Sequence, residues 1–179
     1  MKILVVSQYF WPENFRINDL TTELVNRGHN VTVLTGFPNY PSGIVFQEFK
    51  STPKEFLTYN GVKIVRVPII PRGKRKIQLV FNYFSFIFTA STIGLFRLRK
   101  QNYDAIFVFE PSPVTVCLPA ILYRYFKKVP LAFWVLDLWP ETLKSLKIIN
   151  SSFILSIVGK LVSFIYNRCD LILGQSRSF

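Results

Sequence analysis

The chain opens with a strand, a helix and a second strand, and this pattern constrains its fold more than any other feature. Lys2 to Ser7 is a short apolar run, Arg16 to Arg27 carries apolar residues at helical spacing, and Asn30 to Thr35 is another apolar run. Gly28 ends the helix, as glycine often does. Two buried strands joined by one helix predict a βαβ unit, which requires a parallel sheet.

The alternation of strands and helices continues to the end of the chain. Further strands are predicted at Val62 to Val67, Ala105 to Phe109, Leu131 to Leu136 and Cys169 to Ser176. Helices are predicted at Ile77 to Phe96, Pro113 to Phe126 and Ser151 to Arg168. Lys63 and Arg66 place their strand nearer an edge of the sheet, and the segment from Gly36 to about Thr58 is predicted to be a long loop. About six strands alternating with helices predict one α/β domain over residues 1–179, with a Rossmann-like parallel sheet and helices on both faces.

The charge of the chain predicts an anionic partner. Lys and Arg number 22 against 10 Asp and Glu, a formal charge of +12, which favours nucleic acid, anionic lipid or a phosphorylated substrate. The basic residues concentrate around helix ends instead of along one face, so we expect no nucleic acid. Cys117 and Cys169 match no metal spacing and are predicted to be reduced in a cytosolic core. The first apolar run is too short for a signal peptide, which favours a cytoplasmic protein.

The predicted helix from Ile77 to Phe96 contains no charged residue. Its length would span a bilayer, but polar residues recur at spacings of four and three and form one stripe. The stripe consists of Gln78, Asn82, Ser85, Thr89 and Thr92, and the opposite face is rich in phenylalanine. We expect this helix to cover the sheet with part of its apolar face against lipid, and the basic loop Arg72 to Lys76 to meet anionic head groups. The alternative is a wholly buried core helix beside a solvated basic turn.

Chemistry-bearing residues follow the ends of the predicted strands. The run from Leu131 to Leu136 ends in Asp137-Leu138-Trp139-Pro140-Glu141, and ligands of open α/β sheets bind outside the carboxyl ends of the strands. The other such residues are Glu13 and Arg16 in the first loop, Asn39 and Tyr40 in the second, and Glu110 after a later strand. Carboxylates there can accept hydrogen bonds from sugar hydroxyls, and aromatic rings can stack on sugars. The alternatives are that Asp137 only caps the next helix and that the loop from Gly36 is an ordinary packed surface loop.

The first loop excludes one class of nucleotide site, and the only histidine limits the choice of a general base. Residues 8–14 contain no glycine, so the dinucleotide-binding fingerprint is absent. His29 lies at a turn on the opposite edge of the predicted sheet. A general base would therefore be a carboxylate, and Asp137 is the predicted catalytic residue.

Several motifs together resemble a known family. They are Met1 to Val6 with Tyr9 to Glu13, Leu24 to Thr35, Gly36 to Gly43, Asp137 to Glu141, and Arg168 to Ser176. They resemble the N-terminal domain of family 4 glycosyltransferases, of the bacterial type that assembles O-antigen, capsule and colanic acid. The family often has two glycines in its first loop, whereas this chain has Glu13-Asn14-Phe15-Arg16. That difference leaves Arg16 as the candidate positive charge at this position.

The resemblance implies one half of a GT-B enzyme. In such enzymes the N-terminal domain binds the acceptor, a C-terminal domain binds a nucleotide-sugar, and transfer retains the anomeric configuration, usually without a metal. The chain would then be a single acceptor-binding domain over residues 1–179 without the donor-binding domain. It would need no cofactor, would be inactive alone, and would meet a nucleotide-sugar only with a C-terminal domain or a partner chain.

The leading hypothesis is an acceptor-binding half that acts on a lipid-linked sugar at the inner face of the plasma membrane, to which it is peripherally bound. Asp137 is its predicted catalytic residue. The predicted acceptor-binding residues are Glu13, Arg16, Asn39, Tyr40, Glu110 and Glu141. Arg72, Lys74, Arg75 and Lys76 are predicted to bind the membrane and the diphosphate of the acceptor. The alternatives are a non-catalytic subunit that recruits a donor-binding chain to the membrane, and an inactive truncated gene product.

Overall fold

The computed structural model describes residues 1–73 and 75–176, except for the side chain of Lys76. The strands are β1 (Lys2–Val6), β2 (Asn30–Gly36), β3 (Thr58–Tyr59), β4 (Val62–Val67), β5 (Ala105–Glu110), β6 (Leu131–Val135) and β7 (Leu171–Leu173). The α-helices are α1 (Arg16–Asn26), α2 (Gln47–Ser51), α3 (Lys76–Thr89), α4 (Leu95–Leu98), α5 (Cys117–Lys127), α6 (Glu141–Ser145) and α7 (Ser152–Tyr166). Pro53–Leu57 and Val114–Val116 form 3₁₀ helices, and the π-helical segment Ala90–Gly94 joins α3 to α4.

The strands form one sheet in the order β3-β4-β2-β1-β5-β6-β7. All neighbours are parallel except β3, which pairs antiparallel with β4. This arrangement confirms the predicted Rossmann-like α/β class. The additional strand, β3, lies at the end of the segment predicted to be a loop. Asn60 and Gly61, with φ values of 45° and 79°, make the tight reversal that pairs β3 with β4.

The segment after β2 is more regular than its sequence suggests. It contains α2 and the 3₁₀ helix Pro53–Leu57 before β3. Both short helices are anchored by one buried aromatic residue each, Phe49 and Phe56, whose rings meet edge to face at 5.7 Å between centroids. Such anchoring by tertiary contacts leaves no periodic pattern in the sequence.

Side chains of alternate strand residues build a separate core on each face of the sheet. Leu4 and Val6 point to the face covered by α3, α5 and α7, whereas Ile3 and Val5 point to the face covered by α1. We call the first set of helices, α3, α5 and α7, the helix layer. Within it, α5 lies between α3 and α7 and contacts both.

The helix predicted at Ile77 to Phe96 forms, and Ile77–Leu98 is long and apolar enough to cross a membrane by length and composition. Only 22% of its most apolar window is buried, so the alternative of a wholly buried core helix is wrong. The middle of the polar stripe faces the protein, because Asn82 is fully buried, while Phe81, Phe84 and Phe88 are 54%, 65% and 69% exposed. The polar stripe is therefore an internal contact, and the phenylalanines form the outer surface.

The position predicted for the strand at 62–67 is confirmed, and Lys63 is exposed as expected, but Arg66 departs from the expectation. Only the two-residue β3 lies outside β4 in the sheet. Arg66 is nevertheless buried, and its guanidinium donates to the carbonyl oxygens of Phe56 at 3.2 Å, Gly36 at 3.1 Å and Trp11. Arg66 therefore ties three loops together instead of marking a solvated strand.

The two cysteines, distant in sequence, meet in the helix-layer core. The Sγ atoms of Cys117 and Cys169 lie 3.9 Å apart, and both thiols are free. Burial raises the pKa of Cys117 well above its usual value. The first turn of α5 and the residue before β7 are thus in direct contact.

Candidate functional site

The candidate site lies at the edge of the sheet where the six parallel strands end. We call five of these strand ends the site edge: the carboxyl ends of β1, β2, β4, β5 and β6 with the loops that follow them. The sequence predicts that the chemistry-bearing loops gather here, and parallel strands necessarily bring them together. The structure decides which side chains in these loops are buried and which are accessible.

Glu13 holds the first two loops together. Its Oε1 accepts hydrogen bonds from the backbone N–H groups of Asn39 at 2.8 Å and Tyr40 at 2.7 Å, and its Oε2 accepts one from Phe10 at 3.2 Å. The side chain is 3% exposed. Burial raises the pKa of Glu13 to about 7, whereas these N–H donors and Arg66 act in the opposite direction. Glu13 therefore holds the backbone of the first two loops in place, and both of its carboxylate oxygens are already engaged in hydrogen bonds.

Asn39 connects the second loop to the basic loop. It is fully buried, and its Oδ1 accepts a hydrogen bond from the backbone N–H of Arg72 at 2.7 Å. The Arg72 guanidinium lies 5.3 Å from the centre of the Tyr40 ring, a distance at which a cation is attracted to an aromatic face. The two loops therefore form one unit, with Arg72 and Tyr40 partly exposed on it.

The polar stripe of α3 forms hydrogen bonds with the first loop and with Ile70, which precedes the basic loop. Asn82 donates to the carbonyl oxygen of Ile70 at 2.6 Å and accepts from Gln8 at 2.6 Å and from the Tyr9 hydroxyl at 3.1 Å. Ser85 accepts a hydrogen bond from the backbone N–H of Ile70 at 2.9 Å. Buried polar groups require such partners, which explains why a helix with an apolar outer surface carries an inward polar stripe.

Glu110 lies fully buried beneath the loop that carries Asp137. Its Oε2 accepts a hydrogen bond from the backbone N–H of Leu136 at 3.2 Å, and its Oε1 has no partner among the described residues. Burial raises the pKa of Glu110 to about 8, and the negative charge of Asp137 raises it further. A protonated carboxyl under this loop avoids placing two negative charges side by side.

The accessible groups of the site come from four separate segments. Burial raises the pKa of Tyr83, a residue of α3, while Arg72 and hydrogen bonding with Ser112 act in the opposite direction and Asp137 raises it. Arg72, Ser112 and Asp137 therefore each lie close enough to Tyr83 to influence its pKa, and all four residues are partly exposed. They supply a cation, two hydroxyls and a carboxylate at one place.

The alternative that Asp137 caps the next helix is wrong. Helix α6 begins at Glu141, and its N-cap is Pro140 without a side-chain capping bond. Trp139 packs against the core beneath the helix layer and fixes the loop. The loop thus holds the Asp137 carboxylate at the site edge while its aromatic neighbour is anchored.

Two predicted residues lie at the periphery of the site. Arg16 is the exposed first residue of α1, and Glu141 is the exposed first residue of α6. Glu141 also lines an open cleft of about 640 Å³ between α6 and α7, together with Lys144 and Lys147. A direct contact of Arg16 or Glu141 with an acceptor stays a prediction.

The basic loop is described only in part. Arg75 precedes α3, and its backbone N–H donates to the side chain of Gln78 at 3.1 Å. Lys74 lies outside the described residues, and Lys76 is described only as the first backbone position of α3. Their predicted contacts with membrane and diphosphate therefore stay predictions, whereas Arg72 belongs to the site itself.

Sequence reasoning missed Tyr9, Tyr83 and Ser112. Tyr9 lies within the aromatic first loop, and Tyr83 adjoins Asn82 on an apolar helix. Only the orientation of the polar stripe toward the protein identifies Tyr9 and Tyr83, because periodicity does not reveal which side of a helix faces inward. Among the described residues, no group of three or more His, Cys, Asp or Glu side chains could hold a metal ion.

Comparison with known proteins identifies the fold. No protein-family model matches the sequence, and no curated protein matches it. Among solved structures, CalG4, the calicheamicin glycosyltransferase, is similar to this chain, with a TM-score of 0.54 and 16% sequence identity. The similarity covers 92% of this chain and 42% of that chain, so the chain spans less than half the length of the matched structure. The chain has the Rossmann-like fold of one half of a GT-B glycosyltransferase.

Proposed function

We propose that this chain is the acceptor-binding half of a retaining family 4 glycosyltransferase. In this proposal a sugar passes from a nucleotide-sugar to a lipid-linked glycan in bacterial surface polysaccharide synthesis. The observation that carries the proposal is the Arg72 guanidinium held 5.3 Å from the centre of the Tyr40 ring at the site edge, in a fold shared with a glycosyltransferase. The nucleotide-sugar would bind a C-terminal domain or a partner chain.

The accessible groups suit a sugar diphosphate. Arg72 would bind the diphosphate, because a guanidinium forms paired, charge-assisted hydrogen bonds with phosphate oxygens. Asp137 would accept the proton of the attacking sugar hydroxyl. The partly exposed Tyr40 ring would pack against the sugar. Glu13, Asn39 and Glu110 would act as positioning residues, because all three are buried under the loops they hold.

The lipid part of the acceptor is supported by the outer surface of α3. Phe81, Phe84 and Phe88 are exposed, and α3 begins next to the loop that carries Arg72. An acceptor whose diphosphate lies on Arg72 would therefore have its hydrocarbon chain beside an apolar helix surface. This arrangement favours a peripheral location at the cytoplasmic face of the plasma membrane.

Binding of a soluble acceptor tests the proposal. A short-chain polyprenyl diphosphate sugar is titrated calorimetrically into the chain and its variants. We expect Arg72→Gln to weaken binding by about tenfold, because a charge-assisted contact to phosphate is lost, and Asp137→Ala by a smaller factor. Lys63→Gln removes an exposed charge of β4 and serves as the control. Equal affinities for the three variants would disprove the assigned acceptor site.

The catalytic role requires the donor-binding component. In the protein isolated with that component, we expect Asp137→Asn to lower kcat by about a hundredfold, with a smaller change in KM. The intact mass in the native source shows whether this component follows in the same chain, since the chain accounts for 20.8 kDa. An unchanged kcat would exclude Asp137 as the base.

A further inference from the structure

We infer that helix α7 forms a second membrane contact beside α3, with Lys144 of α6 and Lys147, which lies between α6 and α7, bound to phosphates of an anionic bilayer. This inference rests on the membrane location in the proposed function and extends it to a second helix. The sequence analysis assigns the membrane contact to α3 and the basic loop alone. The evidence for α7 is its exposed apolar side, its place in the helix layer and the cleft at its start.

Helix α7 exposes more apolar surface than its contact with the core requires. Val162 and Ile165 are buried, while Phe153, Ile154, Ile157 and Phe164 are 73%, 45%, 52% and 42% exposed. We call these four exposed residues the α7 patch. Lys160 is the only charged residue among the fifteen of the helix. A helix that is apolar on both sides is normally covered on both sides.

The fold places the α7 patch on the same side of the molecule as the exposed phenylalanines of α3. Both helices belong to the helix layer and cover one face of the sheet, with α5 between them. Each follows the carboxyl end of a parallel strand, α3 after β4 and α7 after β6, so both run back from the site edge. Their exposed apolar sides therefore face away from the sheet together.

The far ends of the two helices share one arrangement. After α4, which continues α3, the Arg99 guanidinium lies 3.6 Å from the centre of the Phe96 ring and donates to the Phe96 carbonyl oxygen at 2.6 Å. After α7, the Arg168 guanidinium lies 3.6 Å from the centre of the Phe164 ring and donates to the Phe164 carbonyl oxygen at 3.1 Å. An arginine folded over an exposed aromatic ring suits a membrane interface, where the ring enters the apolar region and the charge stays among head groups.

Two exposed lysines lie on α6 and in the segment that leads from α6 to α7. The cleft between α6 and α7 is lined by Lys144 and Lys147, by Asn150 and Ser152, and by the carboxylate of Glu141. Both lysines are exposed, and neither forms an ion pair with any described residue. Basic residues beside an exposed apolar helix, in a chain of charge +12, are complementary to an anionic bilayer.

Vesicle binding tests the apolar part of this inference. The chain is floated at low salt with vesicles of phosphatidylcholine and phosphatidylglycerol, and the dissociation constant is compared between variants. We expect Phe153→Glu with Ile157→Glu to weaken binding at least tenfold, and Phe84→Glu with Phe88→Glu to do the same, because buried charge opposes insertion. Leu57→Glu alters another exposed apolar residue, outside the helix layer, and should leave binding unchanged. Circular dichroism confirms that each variant folds.

Charge variants test the assignment of the lysines. Lys144→Gln with Lys147→Gln should weaken binding to anionic vesicles by about 25-fold, since each basic residue near an anionic surface contributes on the order of a fivefold factor. Lys50→Gln with Lys54→Gln removes the same charge from exposed residues outside the helix layer and should change binding by less than about twofold. Equal effects of the two charge variants would overturn the role of the lysines.

The outcomes separate this inference from the proposed function. If only the α3 variant loses vesicle binding, the α7 contact is wrong and the proposed membrane location stands. If the unaltered chain does not bind vesicles, both are wrong. If the chain self-associates in sedimentation and the α7 variant becomes monomeric with unchanged vesicle binding, the α7 patch is a contact between copies, and the inference is overturned.

Discussion

The site edge and the outer surface of the helix layer distribute polarity in opposite ways. At the site edge, Glu13, Asn39 and Glu110 are polar and buried, whereas on the helix layer Phe84 and Phe153 are apolar and 65% and 73% exposed. The buried polar groups are satisfied largely by backbone of neighbouring loops, so they stabilise a rigid site. We expect the exposed apolar groups to contribute little to folding.

The largest expected effect is the pH dependence of stability, which tests whether the buried polar group Glu110 is protonated in the folded protein. Burial raises the pKa of Glu110 from 4.5 to about 8. Between these values the folded state binds more protons than the unfolded state, so the free energy of unfolding falls as pH rises from about 4.5 and levels off above about 8. The full change is at most about 5 kcal/mol for this pKa difference.

The variant Glu110→Gln isolates this contribution. The amide keeps the size of the carboxyl but does not titrate, so urea unfolding measured between pH 5 and 8 should show a clearly flatter dependence than the unaltered chain. The sign of the slope is diagnostic, because a paired surface carboxylate produces the opposite slope. Identical slopes in the two proteins would mean that Glu110 is ionised in the folded state.

Two phenylalanines on α3, two positions apart, test whether the exposed apolar surface of this helix contributes to stability. Phe86 is fully buried, whereas Phe84 is 65% exposed. We expect Phe86→Ala to lower the free energy of unfolding by about 4 kcal/mol, because it leaves a cavity in the core. Phe84→Ala should change it by less than about 0.5 kcal/mol. Chemical denaturation measures both, and similar losses would show that the outer surface of α3 stabilises the fold.

A pair of glycines gives the smallest effect and tests the packing of the second loop on the basic loop. Gly28 and Gly43 both have positive φ, 81° and 72°. A Cβ atom at Gly43 would lie 1.7 Å from the carbonyl oxygen of Arg72, whereas at Gly28 it would meet nothing within 4 Å. Both alanine variants are strained, but Gly43→Ala should cost about 2 kcal/mol more, since the loops must separate.

The consequence of this separation appears in ligand binding. We expect Gly43→Ala to weaken binding of the soluble acceptor analogue, because the hydrogen bond to Asn39 holds Arg72 in place. Gly28→Ala should leave this affinity unchanged. Equal thermal stabilities of the two variants would contradict the observed loop contact.

The order of strands and helices was predictable because it depends on local periodicity. The βαβ start and the helices over α5 and α7 form as predicted. The segment between β2 and β4 was not predictable, because α2 and β3 are held by Phe49, Phe56 and the Asn60-Gly61 turn. Short elements of this kind depend on tertiary contacts and leave only weak local signals.

The candidate site was predictable in place and not in detail. Strand ends locate the loops, and Asp137 and Tyr40 remain accessible within them. The sequence could not distinguish Asp137 from Glu13 and Glu110, since all three are carboxylates after strands. Burial makes the distinction, and burial depends on neighbouring loops that come from distant parts of the chain.

The sequence alone determined the α/β class, the parallel sheet and the edge where the candidate site residues lie, because alternating apolar strands and amphipathic helices admit few other arrangements. Only the tertiary structure decided that the polar stripe of α3 faces inward, that Arg66 is buried, and that Cys117 meets Cys169. Each of these depends on which groups find hydrogen-bond or packing partners across long sequence separations. A periodic pattern defines two sides of a helix, but only the assembled core determines which side is buried.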